Sequence, residues 1–473
     1  MFSNRLESDI RIGPASWDGG VFVIHAVASK SAHLNLKAGA AIGAIWVPGL
    51  PAKPESHATL PGVKRSAPFA RAAAFVLAVL TVGATTLLPT RIREVSKLVE
   101  EVRGRRFESA VPASEIDPAA LKKFLRGKLV DSFPAAPAET LKSLAVLGLI
   151  DETPDLLDRL LDFYASQVIA FYDPEPRRFY VVRGGAAAET LEGESGELAE
   201  RLLFSHELTH ALQDQTLRLD RRFKSLRDDG DRALALQCLL EGEATLVMVR
   251  VALKDLPGAD EAAEEALAPL LSTGALEKAN APKNLPDFFV EQLFFPYVEG
   301  TAYVRRAITR GGWKEVDRLW TDPPVSTADI LHDDRRPPPA TDLLPVDADR
   351  LARLAPSRFR FLYSDTIGEW AIRFLLRRSL PEETASAAAS GWRGDRIAFF
   401  TSGETFVYLW RLRFESPGAA GRFEEAMKSV KREGAPAIAR VGADVLVSLG
   451  FAETPALPGF PARPTATRPA SRG

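Results

Sequence analysis

The sequence predicts an α+β fold: a mainly helical domain with a small antiparallel sheet next to one polar-studded helix, followed by a C-terminal mixed α/β subdomain. Helical periodicity fills most of residues 91–166. Two short runs rich in β-branched and aromatic residues, 168–172 and 179–182, flank the turn Asp173-Pro174-Glu175-Pro176 and read as a hairpin just ahead of the helical stretch 203–215. Past Pro337-Pro338-Pro339 the pattern alternates, with a helix over 366–378, a tight turn over 391–396 and strands over 398–400, 405–413 and 445–447.

Composition narrows the chemistry. A chain of 473 residues with 46% hydrophobic and 26% charged residues has ample material for two or three globular domains. A net charge of −2, with no basic run interleaved with aromatics, argues against a nucleic-acid partner. The single cysteine, Cys238, excludes an intramolecular disulfide framework and any cysteine-based zinc cluster. Metal ligands have to come from His, Asp and Glu.

Residues 1–62 lack sustained periodicity and are expected to be a disordered or mis-assigned leader without function. Lys64, Arg65 and Arg71 then precede an uncharged, mostly apolar run over 72–88 that contains Val82-Gly83-Ala84. As a helix this run spans about 26 Å, slightly short of a bilayer core of about 30 Å. Residues 63–90 are therefore expected to be a signal peptide or an N-terminal membrane anchor, with an Ala-rich core helix as the alternative. The chain from Arg91 onward is then extracytoplasmic, secreted or tethered to the membrane through 72–88. Charge alternates over 91–107 as on a solvated helix. Further helices are expected over 119–129, opened by Pro118, over 140–149, and from Pro154 to about Ser166, with a Pro/Ala connector at 133–138.

The densest chemical signal is His206-Glu207-Leu208-Thr209-His210. On a helix, residues i and i+4 lie on one face about 6 Å apart, so two imidazoles can each bring a nitrogen to about 2 Å from one zinc ion. Glu207 sits one step round the helix, where a carboxylate reaches a water beside the ion without ligating it, as a general base requires. Of the six histidines, His25, His33 and His57 precede the expected folded region, which leaves His206, His210 and His332. The alternative is a helix with two ordinary histidines beside a helix-favouring Glu.

A catalytic zinc takes three protein ligands and keeps one position open. Residues 231–254 read as a helix apolar nearly all round, hence buried, in which Glu241 and Glu243 are the only charges between Arg232 and Arg250. A buried carboxylate is costly unless paired or bound to metal. Two residues apart, the pair point about 200° away from each other, so one ion takes one of them. Glu241 is chosen as third ligand because Gly242 would let this helix approach the His-Glu helix closely; Glu243 is then structural. The upstream hairpin offers an exposed edge strand on which an extended peptide can add by backbone hydrogen bonds.

His206-Glu207-Leu208-Thr209-His210-Ala211 with Asp214 resembles the signature of thermolysin-like metallopeptidases, and a glutamate on a later helix is similar to the wider gluzincin class. The spacing to Glu241 is longer than in thermolysin itself. The elements HELTHALQDQ, Glu241-Gly242-Glu243-Ala244-Thr245 and Ser326-Thr327-Ala328-Asp329-Ile330-Leu331-His332 are more similar to a group of little-characterised bacterial metallopeptidases, over roughly residues 140–335. The resemblance implies a zincin-like catalytic domain over 91–345 with zinc as cofactor and polypeptide as substrate. It also implies an oxyanion donor, for which His332 and Tyr297 are the candidates. Residues 346–452 are expected to be a supporting α/β domain and 453–473 a disordered tail. Two other readings compete: a noncatalytic extracytoplasmic module with a structural or vestigial metal site, and a zinc amidohydrolase acting on non-peptide substrates. The intact Glu207 argues against the first. Oligomeric state is left open.

Overall fold

The computed structural model describes residues 10–18, 21–28, 32–39, 88–184, 193–255, 285–332, 337–345, 347–430, 434–451, 453–460 and 463–464. The architecture is mixed α+β. Two units interleave along the chain: Met1–Asp131, Tyr164–Lys224 and Ala244–Pro269 form one, and Ser132–Phe163, Ser225–Glu243 and Leu270–Gly473 the other.

In the first unit a helix over 88–103 buries Ile92, Val95 and Val99 at helical spacing, while Arg91, Arg93, Glu94 and Lys97 stay exposed. This corrects the expected membrane anchor. No helix among the described residues is long and apolar enough to cross a membrane. Leu88, the last residue of the apolar run, opens an amphipathic helix instead; residues 72–87 lie outside the described residues. Within 1–62, to which the sequence assigns no element, the backbone of Ile10–Asp18, Val21–Ala28 and Ala32–Gly39 runs as an antiparallel three-stranded sheet.

The sheet that matters for the site has three strands. Ala113–Ile116 pairs parallel with Arg178–Val182, which pairs antiparallel with Ala170–Asp173 at the edge. The hairpin is where the sequence puts it, whereas Ala113–Ile116 is an addition, because a four-residue parallel strand has no local signature. Helix Pro118–Ser132 buries Leu121, Leu125 and Leu129. Phe171 is stacked on Phe124 and on Tyr180, with centroids 4.9 Å apart in both pairs. On the helix side, Phe204 of Gly193–Leu217 meets Phe179 edge-on, again at 4.9 Å.

The second unit is built on a five-stranded antiparallel sheet ordered Ala437–Val441, Asp444–Leu449, Thr405–Phe414, Trp392–Ser402, Arg360–Asp365. Trp392, Tyr408 and Trp410 are fully buried in it. The expected tight turn at 391–396 is instead the start of a strand, with a register irregularity between Trp392 and Asp395. Gly394, at φ 135°, lets the backbone pass Ala340, whose N and O would lie 2.7 Å from any Cβ there. Helix Pro137–Leu147 belongs to this unit and is held by an Arg360–Glu139 ion pair. Arg378 donates to Gly148 O at 2.7 Å just beyond it.

Three aspartates, Asp231 and Asp395 buried and Asp365 half-buried, fix helix starts in this unit. Asp365 accepts from Gly230 N at 2.7 Å, Asp231 from Thr327 N and its hydroxyl, and Asp395 from Ile367 N and Gly368 N, both at 2.9 Å. Ser326 stands at the N-cap of Thr327–Leu331 but makes no side-chain cap bond; Asp231 supplies the acceptor instead. Enclosure of the carboxyl pushes Asp365 up to about 7, against the hydrogen bonds from Gly230 and Thr366. A carboxyl raised in the folded state stabilises most below its unfolded pKa, and that contribution is lost as pH rises from about 4 through about 7. Asparagine keeps the acceptor and removes the titration. Denaturation of wild type and Asp365→Asn between pH 4 and 8 is therefore expected to diverge, the wild type losing up to a few kcal/mol relative to the variant as pH rises. Parallel profiles would contradict this.

Candidate metal centre

The helix Gly193–Leu217 is anomalous in its chemistry: residues 203–215 are buried without interruption, yet Ser205, His206, Glu207, Thr209, His210, Gln213, Asp214 and Gln215 are polar. Buried polar groups persist where they are partnered. Ser205 and Thr209 donate their hydroxyls back to Leu202 O and Ser205 O at 2.9 and 2.7 Å. Gln215 accepts from Glu108 N at 2.6 Å and donates to Ser109 O at 2.9 Å.

The two histidines meet as their spacing requires. Their rings are 4.8 Å apart at 85°, with Nε2 facing Nε2 at 3.2 Å. Two nitrogens sharing one tetrahedral ion at about 2.0–2.1 Å stand about 3.3 Å apart, so the pair fits a common metal. Nδ1 of His210 lies 2.9 Å from Oε1 of Gln213. A carboxamide oxygen accepts, so this bond puts the His210 proton on Nδ1 and leaves the Nε2 lone pair for the ion. Glu241 is buried on Gly230–Leu253, a single continuous helix. His206, His210 and Glu241 each offer a ligand atom, and these atoms all lie within 4.8 Å of one another. It is the one such group among the described residues.

Glu207 is not a member of that group. Its Oε2 accepts from Tyr172 N at 2.9 Å, on the edge strand Ala170–Asp173. The phenol of the same tyrosine donates to Asp214 Oδ2 at 2.9 Å, and Asp214 Oδ1 accepts from Leu219 N at 2.8 Å. Burial pushes the Asp214 carboxyl above the usual carboxylate range, against the bonds from Tyr172 and Leu219. Burial and the Asp214 charge together push the Tyr172 hydroxyl up, so it remains a donor. The edge strand is not exposed, contrary to expectation: all four of its residues are buried, and the Tyr172 N–H is already donated to Glu207.

A family model described as "Domain of unknown function (DUF8575)" matches residues 358–453, the stretch that holds the five-stranded sheet. No curated protein and no solved structure matches the chain. The metal-centre residues lie outside the matched stretch.

The two acidic residues of the second helix have different surroundings, and the glycine used to choose between them points elsewhere. Glu243 accepts from Trp320 Nε1 at 2.7 Å. Gly242 provides for a close approach to another helix, Asp287–Gly311, where a Cβ would lie 2.1 Å from Gly300 O. The sequence pattern marked that a neighbour came close and could not say which. His332 pairs through Nε2 with Glu369 Oε1 at 2.6 Å. Tyr297 is buried on Asp287–Gly311, next to Pro296. Neither belongs to the ligand group. The residues that sequence reasoning passed over are Tyr172 and Gln213. Only Gln213 had a local signal, its i+3 spacing from His210.

Proposed function

We propose that this chain is a zinc-dependent metallopeptidase whose mainly helical catalytic part is zincin-like, with the small sheet lying against the His-Glu helix. The observation that carries the reading is the convergence of His206, His210 and Glu241 from two buried helices. Three members leave the open position that a catalytic zinc keeps and a structural zinc fills. Zinc, when bound there, supplies a Lewis acid and brings the pKa of water to near neutrality. Glu207 takes the proton of the attacking water and hands it to the departing amine nitrogen. Its held Oε2 fixes the carboxylate while Oε1 carries out the transfer. Gln213 keeps His210 in the tautomer that ligates. His332, with its Glu369 partner, and Tyr297 are the proposed donors to the oxyanion. The substrate is an unstructured polypeptide.

The test is cleavage of casein by the purified full chain. Hydrolysis is expected to stop when 1,10-phenanthroline strips the metal and to return on addition of zinc. Cleavage indifferent to the chelator, or no cleavage by zinc-loaded protein of native fold, would overturn the reading.

A further inference from the structure

Tyr172 grips the His-Glu helix twice. Its backbone N–H holds Glu207 and its phenol O–H holds Asp214, both at 2.9 Å. Glu207 and Asp214 are seven residues apart, two turns of helix, and so share one face about 10 Å apart along the axis. His210 lies between them in the chain. A single attachment leaves a helix able to roll about that point; two attachments to one strand residue remove this freedom. The strand is itself fixed, since Tyr172 is registered against Phe179 and Phe171 is stacked between Phe124 and Tyr180. A backbone donor is also more rigid than any side chain, because it has no rotamer of its own to lose.

We propose that Tyr172 is the positioning residue of the site: its phenol locks the strand to the helix at Asp214, and the lock holds the Tyr172 N–H against the Glu207 carboxylate. The proposal rests on the reading of Glu207 as the base for its kinetic consequence, but not for its structural one. Tyr172→Phe removes the phenolic donor and leaves the N–H, so any loosening at Glu207 is transmitted rather than direct. The variant should keep its zinc and its KM while kcat falls about tenfold or more, the cost of a displaced base. Asp214→Ala removes the acceptor of that bond together with the one that Leu219 N–H uses, so the double variant Tyr172→Phe/Asp214→Ala should be no worse than Asp214→Ala alone.

Amide hydrogen exchange gives a readout independent of hydrolysis. At residue 172 exchange should be slow in wild type and about tenfold faster in both Tyr172→Phe and Glu207→Ala, while Val182, whose N–H is bonded to Ile169 O, stays protected in both. Unchanged exchange at residue 172 in Tyr172→Phe would overturn the proposal. So would additive losses in the double variant, or a fall in kcat that merely tracks the melting temperature. Should wild type hydrolyse nothing, the peptidase reading falls, and the exchange data alone decide whether Tyr172 holds Glu207. If Asp214→Ala does not fold, Tyr172→Phe carries the test by itself.

Discussion

Replacing Glu207 by glutamine is expected to lower the rate of peptide hydrolysis by about three orders of magnitude, within the range for loss of a general base. Zinc content and melting temperature should hardly change. Glutamine preserves the volume and retains a carbonyl oxygen that accepts from Tyr172 N–H, so the tether at 2.9 Å survives while the proton acceptor is lost. The comparison is made at equal zinc loading, by kcat/KM on one fluorogenic peptide. If the variant loses its metal, Glu207 is a ligand or the support of one, and the role given to it is wrong. A variant as active as wild type would put the base elsewhere.

Gly242→Ala is expected to be among the most damaging single substitutions in the chain. An added methyl at residue 242 would sit 2.1 Å from Gly300 O, 2.2 Å from Gly300 C and 2.7 Å from Thr301 N. In the other direction, a Cβ on Gly300 would meet Cys238 O at 2.2 Å. Every one of these obstacles is backbone, which cannot move aside as the end of a flexible side chain can. The cost should exceed the ~1–3 kcal/mol usual for an overpacked core. Against a total stability of about 5–15 kcal/mol, that is enough to lower the soluble yield sharply. Because Gly242 follows Glu241 directly, whatever folded protein remains should also bind zinc poorly. A variant that melts within about 3 °C of wild type would show that the two helices are free to separate.

Local chemistry was readable from the sequence, and long-range pairing was not. His206, Glu207 and His210 are set by i, i+4 geometry within one turn, whereas the rarity of charge on a buried helix narrows the third member only to Glu241 or Glu243, and the choice between them rests on an approach to the His-Glu helix that Gly242 serves toward Gly300 instead. The hairpin was equally plain, because Asp173-Pro174-Glu175-Pro176 has few other uses. What escaped notice joins distant residues: Tyr172 to Glu207 across 35 positions and Asp231 to Thr327 across 96. Such contacts leave only a compositional trace at either end. Gly242 illustrates the limit, since its small size announced a close neighbour without naming Gly300. The register irregularity at Trp392–Asp395 reads as a turn because Gly391 and Gly394 are turn residues in most settings; Gly391 is one, and only the pairings of Trp392 with Phe414 and Asp395 with Leu412 place Gly394 in a strand.

The central claim is that His206, His210 and Glu241 together hold one catalytic metal. It is tested most directly by counting zinc per chain after dialysis in four forms of the full-length protein: wild type, His210→Ala, Glu241→Gln and Glu243→Gln. About one zinc per chain is expected in wild type and in Glu243→Gln, whose side chain serves Trp320, with little or none in the other two, because removing one of three ligands from an open site should abolish most of the affinity. Zinc retained by His210→Ala, or lost from Glu243→Gln but kept by Glu241→Gln, would contradict the account.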